Sequence, residues 1–302
     1  MSITTRFGER NLLDEMESRD ASDVFTLDGS SPPLIYKCVY KHFGDYEGNH
    51  AIRRAYKICK HLGHPNLSCI LDTGECPDHF YLLEWKEAGT DLFAAVDALQ
   101  DKKLVLPSDQ VLHITKSLLR GMKHLHAQGL VHRDIKCENI LLSQRLPITP
   151  TRPPQKLPNV MLTDWEYLAP FGEIAGIATP LYGSPTAGNN QPYTYADDMW
   201  SFGVVLYVLL MGCAPWRRPR PHDIRSNFRT ELKCGLKMPD AAITLLTQIW
   251  ATSTTRETVP KASDVLVGEF CNMTPQQLDE MRFESLSKEQ QVTPYYSRNF
   301  GK

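Results

Sequence analysis

Between Val131 and Leu142 the chain reads Val-His-Arg-Asp-Ile-Lys-Cys-Glu-Asn-Ile-Leu-Leu, its most informative stretch. His132, Arg133, Asp134, Lys136 and Asn139 stand at set intervals, and the apolar run Ile140-Leu141-Leu142 follows at once. A polar turn ahead of a buried strand would account for the hydropathy. It would not demand these residue types at these spacings.

A chain of 302 residues suits one large unit or two smaller ones. A hydrophobic fraction of 42 % is ordinary for a soluble globular protein with a sizeable core. Thirty-three basic residues balance 35 acidic ones, so the chain lacks the basic excess of a general nucleic-acid or membrane-surface binder. Its cysteines form no C-x-x-C pair, which argues against a zinc ribbon or a disulfide framework and favours a reducing compartment. Met1 to Asn11 carries no signal-peptide apolar region, and the apolar stretch Phe202 to Met211 is too short to span a bilayer. The expectation is an intracellular protein of the cytoplasm or nucleus, with neither nucleic acid nor membrane as partner.

Strand-type runs come first. Val24 to Leu27 and Leu34 to Tyr40 flank the turn cluster Asp28 to Pro33, and Phe80 to Trp85 reads as a further strand. Between them a helix is predicted over Asn49 to Leu62, with Ile52, Ala55, Cys59 and Leu62 on its inward stripe. Arg53, Arg54, Lys57 and Lys60 fall on the solvated face. The rest is mostly helical. Val111, Ile114, Leu118, Met122 and Leu125 keep helical spacing between Ser108 as N-cap and Gly129 as terminator. Met199 to Met211 is apolar on nearly all sides, as a central buried helix requires.

The Val131 to Leu142 run resembles the catalytic loop of eukaryotic protein kinases, H-R-D-x-x-x-x-N. Other motifs agree with it in order. Lys37 resembles the lysine of V-A-I-K, and Thr163-Asp164-Trp165-Glu166 takes the place of D-F-G. Ala178-Thr179-Pro180-Leu181-Tyr182 resembles G-T-P-x-Y, and Asp198-Met199-Trp200-Ser201-Phe202-Gly203 resembles D-x-W-S-x-G.

The resemblance implies an α+β, bilobal fold with a small β-rich N-lobe and a larger helical C-lobe. The domain would run from residue 24 to 270, with lobes meeting between about residues 86 and 91. A segment from 1 to 23 would supply the first strand and turn, and 271 to 302 a polar tail. It implies ATP and Mg²⁺ as cofactors and a protein Ser/Thr hydroxyl as acceptor. Asp134 would be the base, Lys136 would neutralise the transferred phosphoryl group, and Asn139 and Asp164 would ligate the metal. Lys37 would hold the ATP phosphates. The backbone of Glu84 and Lys86 would meet adenine, with Leu83 as gatekeeper, and Asp91 would reach the ribose or cap a helix. Asp198 would hold the catalytic loop by hydrogen bonds.

Four departures bear on activity. No glycine lies between Gly8 and Gly29, and the turn expected within Asp14 to Asp23 is acidic, whereas glycine N–H groups close around phosphate. Ala55 stands where a glutamate partner of Lys37 is expected. Lys37 would then pair with Asp164 or lose proton affinity on burial. Glu166 replaces a glycine, at a conformational cost if glycine's backbone angles are needed. Ser184-Pro185-Thr186 replaces A-P-E, which leaves Arg256 without its usual anionic partner. No Ser or Thr lies between Asp164 and Thr179, so Glu173 is the candidate to engage Arg133 in place of a phosphorylated residue. The expectation is an atypical or weakened active kinase, with a pseudokinase scaffold as the alternative.

Two further segments stand outside these motifs. Pro147-x-x-Pro150-x-Arg152 has the form of an SH3-type ligand inside a stretch that otherwise reads as an exposed loop. Trp216 to Arg220 is a small basic cluster on what reads as a solvated face.

Overall fold

The computed structural model describes residues 2–5, 8–19, 22–27, 33–41, 46–86, 89–101, 105–146, 157–174, 179–185, 191–216, 236–250 and 258–283. Six strands open it: β1 (Ser2–Thr5), β2 (Gly8–Arg19), β3 (Ser22–Leu27), β4 (Leu34–Tyr40), β5 (Ile70–Glu75) and β6 (His79–Trp85). They form one antiparallel sheet in the order β1-β2-β3-β4-β6-β5, and α1 (Tyr46–Cys59) packs against β5 and β6. Alternation sorts the side chains of β4 and β6 between two faces. Leu34, Tyr36, Cys38 and Leu83 join Leu27 in a separate apolar cluster, while Phe80 and Leu82 face the main core.

The larger part is helical: α2 (Leu92–Asp101), α3 (Ser108–Ala127), α4 (Tyr195–Met211), α5 (Asp240–Trp250), α6 (Ala262–Val267), α7 (Glu269–Asn272) and α8 (Pro275–Phe283). Two small sheets lie where it meets the first part. One has the order β10-β9-β7, from β7 (Thr90–Asp91), β9 (Ile140–Leu142) and β10 (Val160–Leu162). The other pairs β8 (Leu130–Val131) with β11 (Ala169–Pro170). This is the expected α+β, bilobal arrangement.

Helix α4 shows why the sequence settles as it does. The Thr194 hydroxyl accepts the Ala196 N–H and the Asp197 carboxylate accepts the Thr194 N–H, a reciprocal cap on otherwise unpaired donors. Gly212, in the left-handed region at φ 68°, ends the helix. From Ala196 to Met211 every residue is buried, and a Cβ at Gly203 would lie 2.8 Å from the Trp250 indole. Gly129 has φ 71° just beyond α3, as expected of a terminator.

Several expectations need correction. Much of the acidic stretch is strand: Asp14, Glu15 and Glu17 lie in β2, and the junction with β3, where Arg19 pairs with Ser22, falls within the stretch expected to turn. The charges on the outer face are not merely solvated, since Arg53 of α1 makes two bonds to Glu75 (2.8 and 2.7 Å) and Lys60, just past the helix, pairs with Asp72 at 3.0 Å. Ser108 is not a side-chain cap; its buried hydroxyl accepts from Arg282. The domain does not end at Phe270, because α8 buries Leu278, Arg282 and Phe283. Pro147 to Arg152, the arginines from Arg217 to Arg220, Thr186 and Arg256 lie outside the described residues.

Candidate active site

A cavity of about 430 Å³ opens between the two parts. Ser22, Val24 and Ile35 line one side and Asp91, Phe93, Glu138 and Leu141 the other. Lys37, Glu84, Asn139 and Asp164 lie along it. Its size suits a nucleotide-sized molecule.

The catalytic-loop run leaves β8, turns through Arg133 and re-enters a short 3₁₀ turn, Cys137–Asn139, ahead of β9. Arg133 sits at φ 71°, a conformation costly for a side chain other than glycine. The buried Asp198 carboxylate holds it there, accepting the N–H groups of His132 and Arg133, each at 2.9 Å. Burial alone would raise the Asp198 carboxyl, but the bond to His126 and the neighbouring histidines outweigh it and leave it below the ordinary value. Asp198 thus anchors the loop, as expected.

Three side chains converge on Asp134. Asn139 Nδ2 donates to its Oδ2 at 2.9 Å and to its carbonyl at 2.8 Å, Lys136 Nζ lies 2.7 Å from Oδ2, and the Thr179 hydroxyl donates to Oδ1 at 2.6 Å. With its nitrogen committed to Asp134, the Asn139 amide leaves its oxygen as the atom for a cation. His132 donates Nε2–H to the Thr163 carbonyl at 2.9 Å and so ties this loop to the Asp164 segment.

Asp164 follows β10 at φ 73°. Next to it Trp165 is buried, its indole N–H donating to Ser68 at 2.9 Å. Two carboxylates reach Lys37: Asp164 Oδ1 at 2.8 Å and Glu166 Oε1 at 2.6 Å. Burial works against a charged Lys37, yet these two carboxylates hold its proton affinity well above the ordinary value. Burial raises Asp164 in turn, and Lys37 outweighs it, leaving this carboxyl lowered. Lys37 therefore neither relies on Asp164 alone nor loses its proton. Glu166 is absent from the left-handed region among the described residues, so replacing the glycine incurs no backbone strain.

The base-facing expectations fare differently. Leu83 is fully buried in the cluster on the opposite face, so it cannot be the gatekeeper; the inner-wall side chain is Glu84. Glu84 accepts the Thr163 hydroxyl at 3.3 Å, and burial pushes its carboxyl up. Lys86 does not line the cavity, and its N–H donates to the Pro33 carbonyl at 2.8 Å, which corrects the expected contact with a base. Asp91 both lines the cavity and caps α2, accepting the Ala94 N–H at 2.8 Å. Asp23 turns away from the cavity to accept the Tyr40 hydroxyl at 2.6 Å, so its charge does not face the cavity.

Sequence reasoning missed Tyr56, Ser68 and Phe93. Phe93 follows directly on the Gly89-Thr90-Asp91-Leu92 motif, and Tyr56 neighbours Ala55 on the inward stripe; either position could have been found from its neighbour. Ser68 carries no such signal.

Among the described residues no group of three or more His, Cys, Asp or Glu could hold a metal unaided. Asp164 and the Asn139 oxygen nevertheless fit Mg²⁺, a hard cation that takes few protein oxygens and completes its shell with water and phosphate.

Residues 26–278 match the family model of the protein kinase domain. A probable myosin light chain kinase from Dictyostelium discoideum is 32 % identical over 63 % of this chain and 58 % of its own length. The human calcium/calmodulin-dependent protein kinase type 1B is 29 % identical over 62 % of this chain and 52 % of its own. The Arabidopsis thaliana serine/threonine-protein kinase TIO is 30 % identical over 63 % and 13 % respectively. The chain thus spans little more than half the length of the first two relatives, and far less of the third. Identity this modest accords with the altered glycine loop, Ala55 and Glu166. The family match nevertheless covers most of the chain, and its loop motifs meet at one cavity: the chain belongs to the protein kinase family.

Proposed function

We propose that the chain is an atypical, ATP- and Mg²⁺-dependent kinase that transfers the γ-phosphoryl group to protein Ser/Thr hydroxyls. The observation that carries this reading is the convergence of Lys136, Asn139 and Thr179 on Asp134 within 2.6–2.9 Å. Asp134 would orient the acceptor hydroxyl and take its proton as the oxygen bonds to the γ-phosphorus and the bond to the β,γ-bridging oxygen breaks. Lys136 would offset charge on the moving group. Lys37 would hold the phosphates. Asp164 and Asn139 would hold Mg²⁺, which supplies positive charge where the phosphate oxygens gather it.

Intracellular localisation, in the cytoplasm or nucleus, is proposed on the free thiols of Cys38, Cys59, Cys69, Cys76, Cys137 and Cys271. The SH3-type segment remains a proposal from its sequence alone.

One observation favours a pseudokinase scaffold instead: the Lys86 N–H already belongs to Pro33. ATP titration followed by melting temperature, with and without Mg²⁺, separates the two. A kinase predicts Mg²⁺-dependent stabilisation that grows with ATP. A flat melting temperature at millimolar ATP supports the scaffold.

A further inference from the structure

The sequence shows two departures, an alanine at position 55 where a glutamate partner of Lys37 is expected and a glutamate at position 166, and the structure brings the glutamate to Lys37. Ala55 is wholly buried on the inward side of α1, where its methyl group offers no charge. The neighbouring Tyr56 has a buried hydroxyl with no hydrogen-bond partner among the described residues, so it offers no ion pair either. The second carboxylate beside Lys37 comes instead from Glu166, whose side chain is 14 % exposed and whose Oε1 lies 2.6 Å from Nζ.

Trp165 is buried and bonded to Ser68, while the carboxylates of Asp164 and Glu166 on either side of it both meet Lys37. Asp164 and Glu166 therefore form a two-pronged acid around one ammonium group. If Asp164 is a metal ligand, its carboxylate is shared between the metal and Lys37. Glu166 can stay with the lysine throughout.

We propose that Glu166 is the positioning residue of Lys37, doing from the Asp164 segment what a helix-borne glutamate would do from position 55. This deepens the kinase reading and rests on it. One consequence is that alignment of Lys37 does not depend on the placement of α1. In kinases generally that placement controls the corresponding ion pair. Here a displacement of α1 would leave the lysine's two carboxylates in place.

The test has two arms, so that failure of the inference differs from failure of the kinase reading. In the first, Lys37→Met, Glu166→Gln and the double variant of the full chain are melted without nucleotide. The summed losses of the single variants should exceed the double-variant loss by at least about 2 °C, as coupled residues require. Additive losses overturn the inference whether or not the chain binds ATP.

In the second arm, ATP affinity and kcat are measured. Glu166→Gln and Glu166→Gly should weaken ATP binding on the order of 10–100-fold, the usual effect of losing an orienting partner. Adding Ala55→Glu to Glu166→Gly should restore binding to within a few-fold of the parent. Tighter ATP binding by Glu166→Gln overturns the proposal and makes Glu166 a competitor of the phosphates. If the parent binds no ATP, the kinase reading falls and the positioning role falls with it, even where the ion pair itself couples.

Discussion

Arg133 and Glu173 form an ion pair that supplies the catalytic-loop arginine with a carboxylate from the chain itself. The other oxygen of Glu173 pairs with Arg54 on α1, so one side chain ties the catalytic loop to the helix of the β-rich part. The Glu173 carbonyl accepts the Tyr193 N–H at 3.0 Å, which fixes its backbone as well. With no Ser or Thr between Asp164 and Thr179, a carboxylate of the chain itself engages Arg133 without any phosphorylated Ser or Thr from that stretch.

Activity should therefore be independent of loop phosphorylation. Phosphatase treatment of the purified chain is expected to leave the transfer rate unchanged, whereas Glu173→Gln should lower it about tenfold or more. A large loss on phosphatase treatment, with Glu173→Gln neutral, would contradict this.

Asp198 is expected to matter for the fold before it matters for chemistry. Asp198→Asn weakens the charge-assisted bonds that hold Arg133 in the left-handed region and should cost about 3 kcal/mol, read as a drop of roughly 6–12 °C in melting temperature. Because its folded-state carboxyl is lowered, its contribution is complete above the ordinary aspartate value and fades as pH falls through the folded one. The deficit of the variant should therefore be largest near neutral pH and shrink in acid.

Glu84 should show the opposite dependence. Burial makes the folded state hold the Glu84 proton more tightly than the unfolded state. Stability from the protonated form is present below the ordinary glutamate value and is lost as pH rises through the folded one. Glu84→Gln, which never ionises, should melt above the parent at neutral pH, and the gap should close toward about pH 4. A gap that stays constant with pH would contradict the assignment.

Arg282 tests whether α8 belongs to the domain. Its buried guanidinium donates to the carbonyls of Leu106 and Leu210, each at 2.9 Å, and to the Ser108 hydroxyl. Leu210 lies in the last turn of α4, where a cation also meets the negative end of the helix dipole. Arg282→Ala should cost about 3 kcal/mol in denaturant unfolding. A loss within experimental error would make α8 an appendage.

How far the sequence was legible depended on the kind of signal each residue carried. The catalytic loop, Lys37, Asp164 and Asp198 could be placed because their types recur at set spacings, and α4 because it is apolar all round. The phase of β6 could not be read, since Phe80-Tyr81-Leu82-Leu83 is continuously apolar and only alternation would tell Leu83 from Glu84. Helix α8 was hidden because it buries only Leu278, Arg282 and Phe283, one of them a cation. The strand character of Glu15 and Glu17 could not be read, because it comes from pairing with β3, not from the residues themselves. Glu166 looked like damage to a motif, because its partner Lys37 lies in a distant strand and only the folded chain brings them together.

The central claim is that the groups gathered around Asp134 carry out phosphoryl transfer. The most direct measurement follows γ-phosphate incorporation into a protein Ser/Thr substrate, with Mg²⁺, by the parent chain and by Asp134→Asn. The account predicts incorporation by the parent and a loss on the order of a thousandfold or more in the variant, as expected when a residue at the reacting atoms is removed. Equal incorporation by both, or none by the parent when ATP is bound, would contradict it.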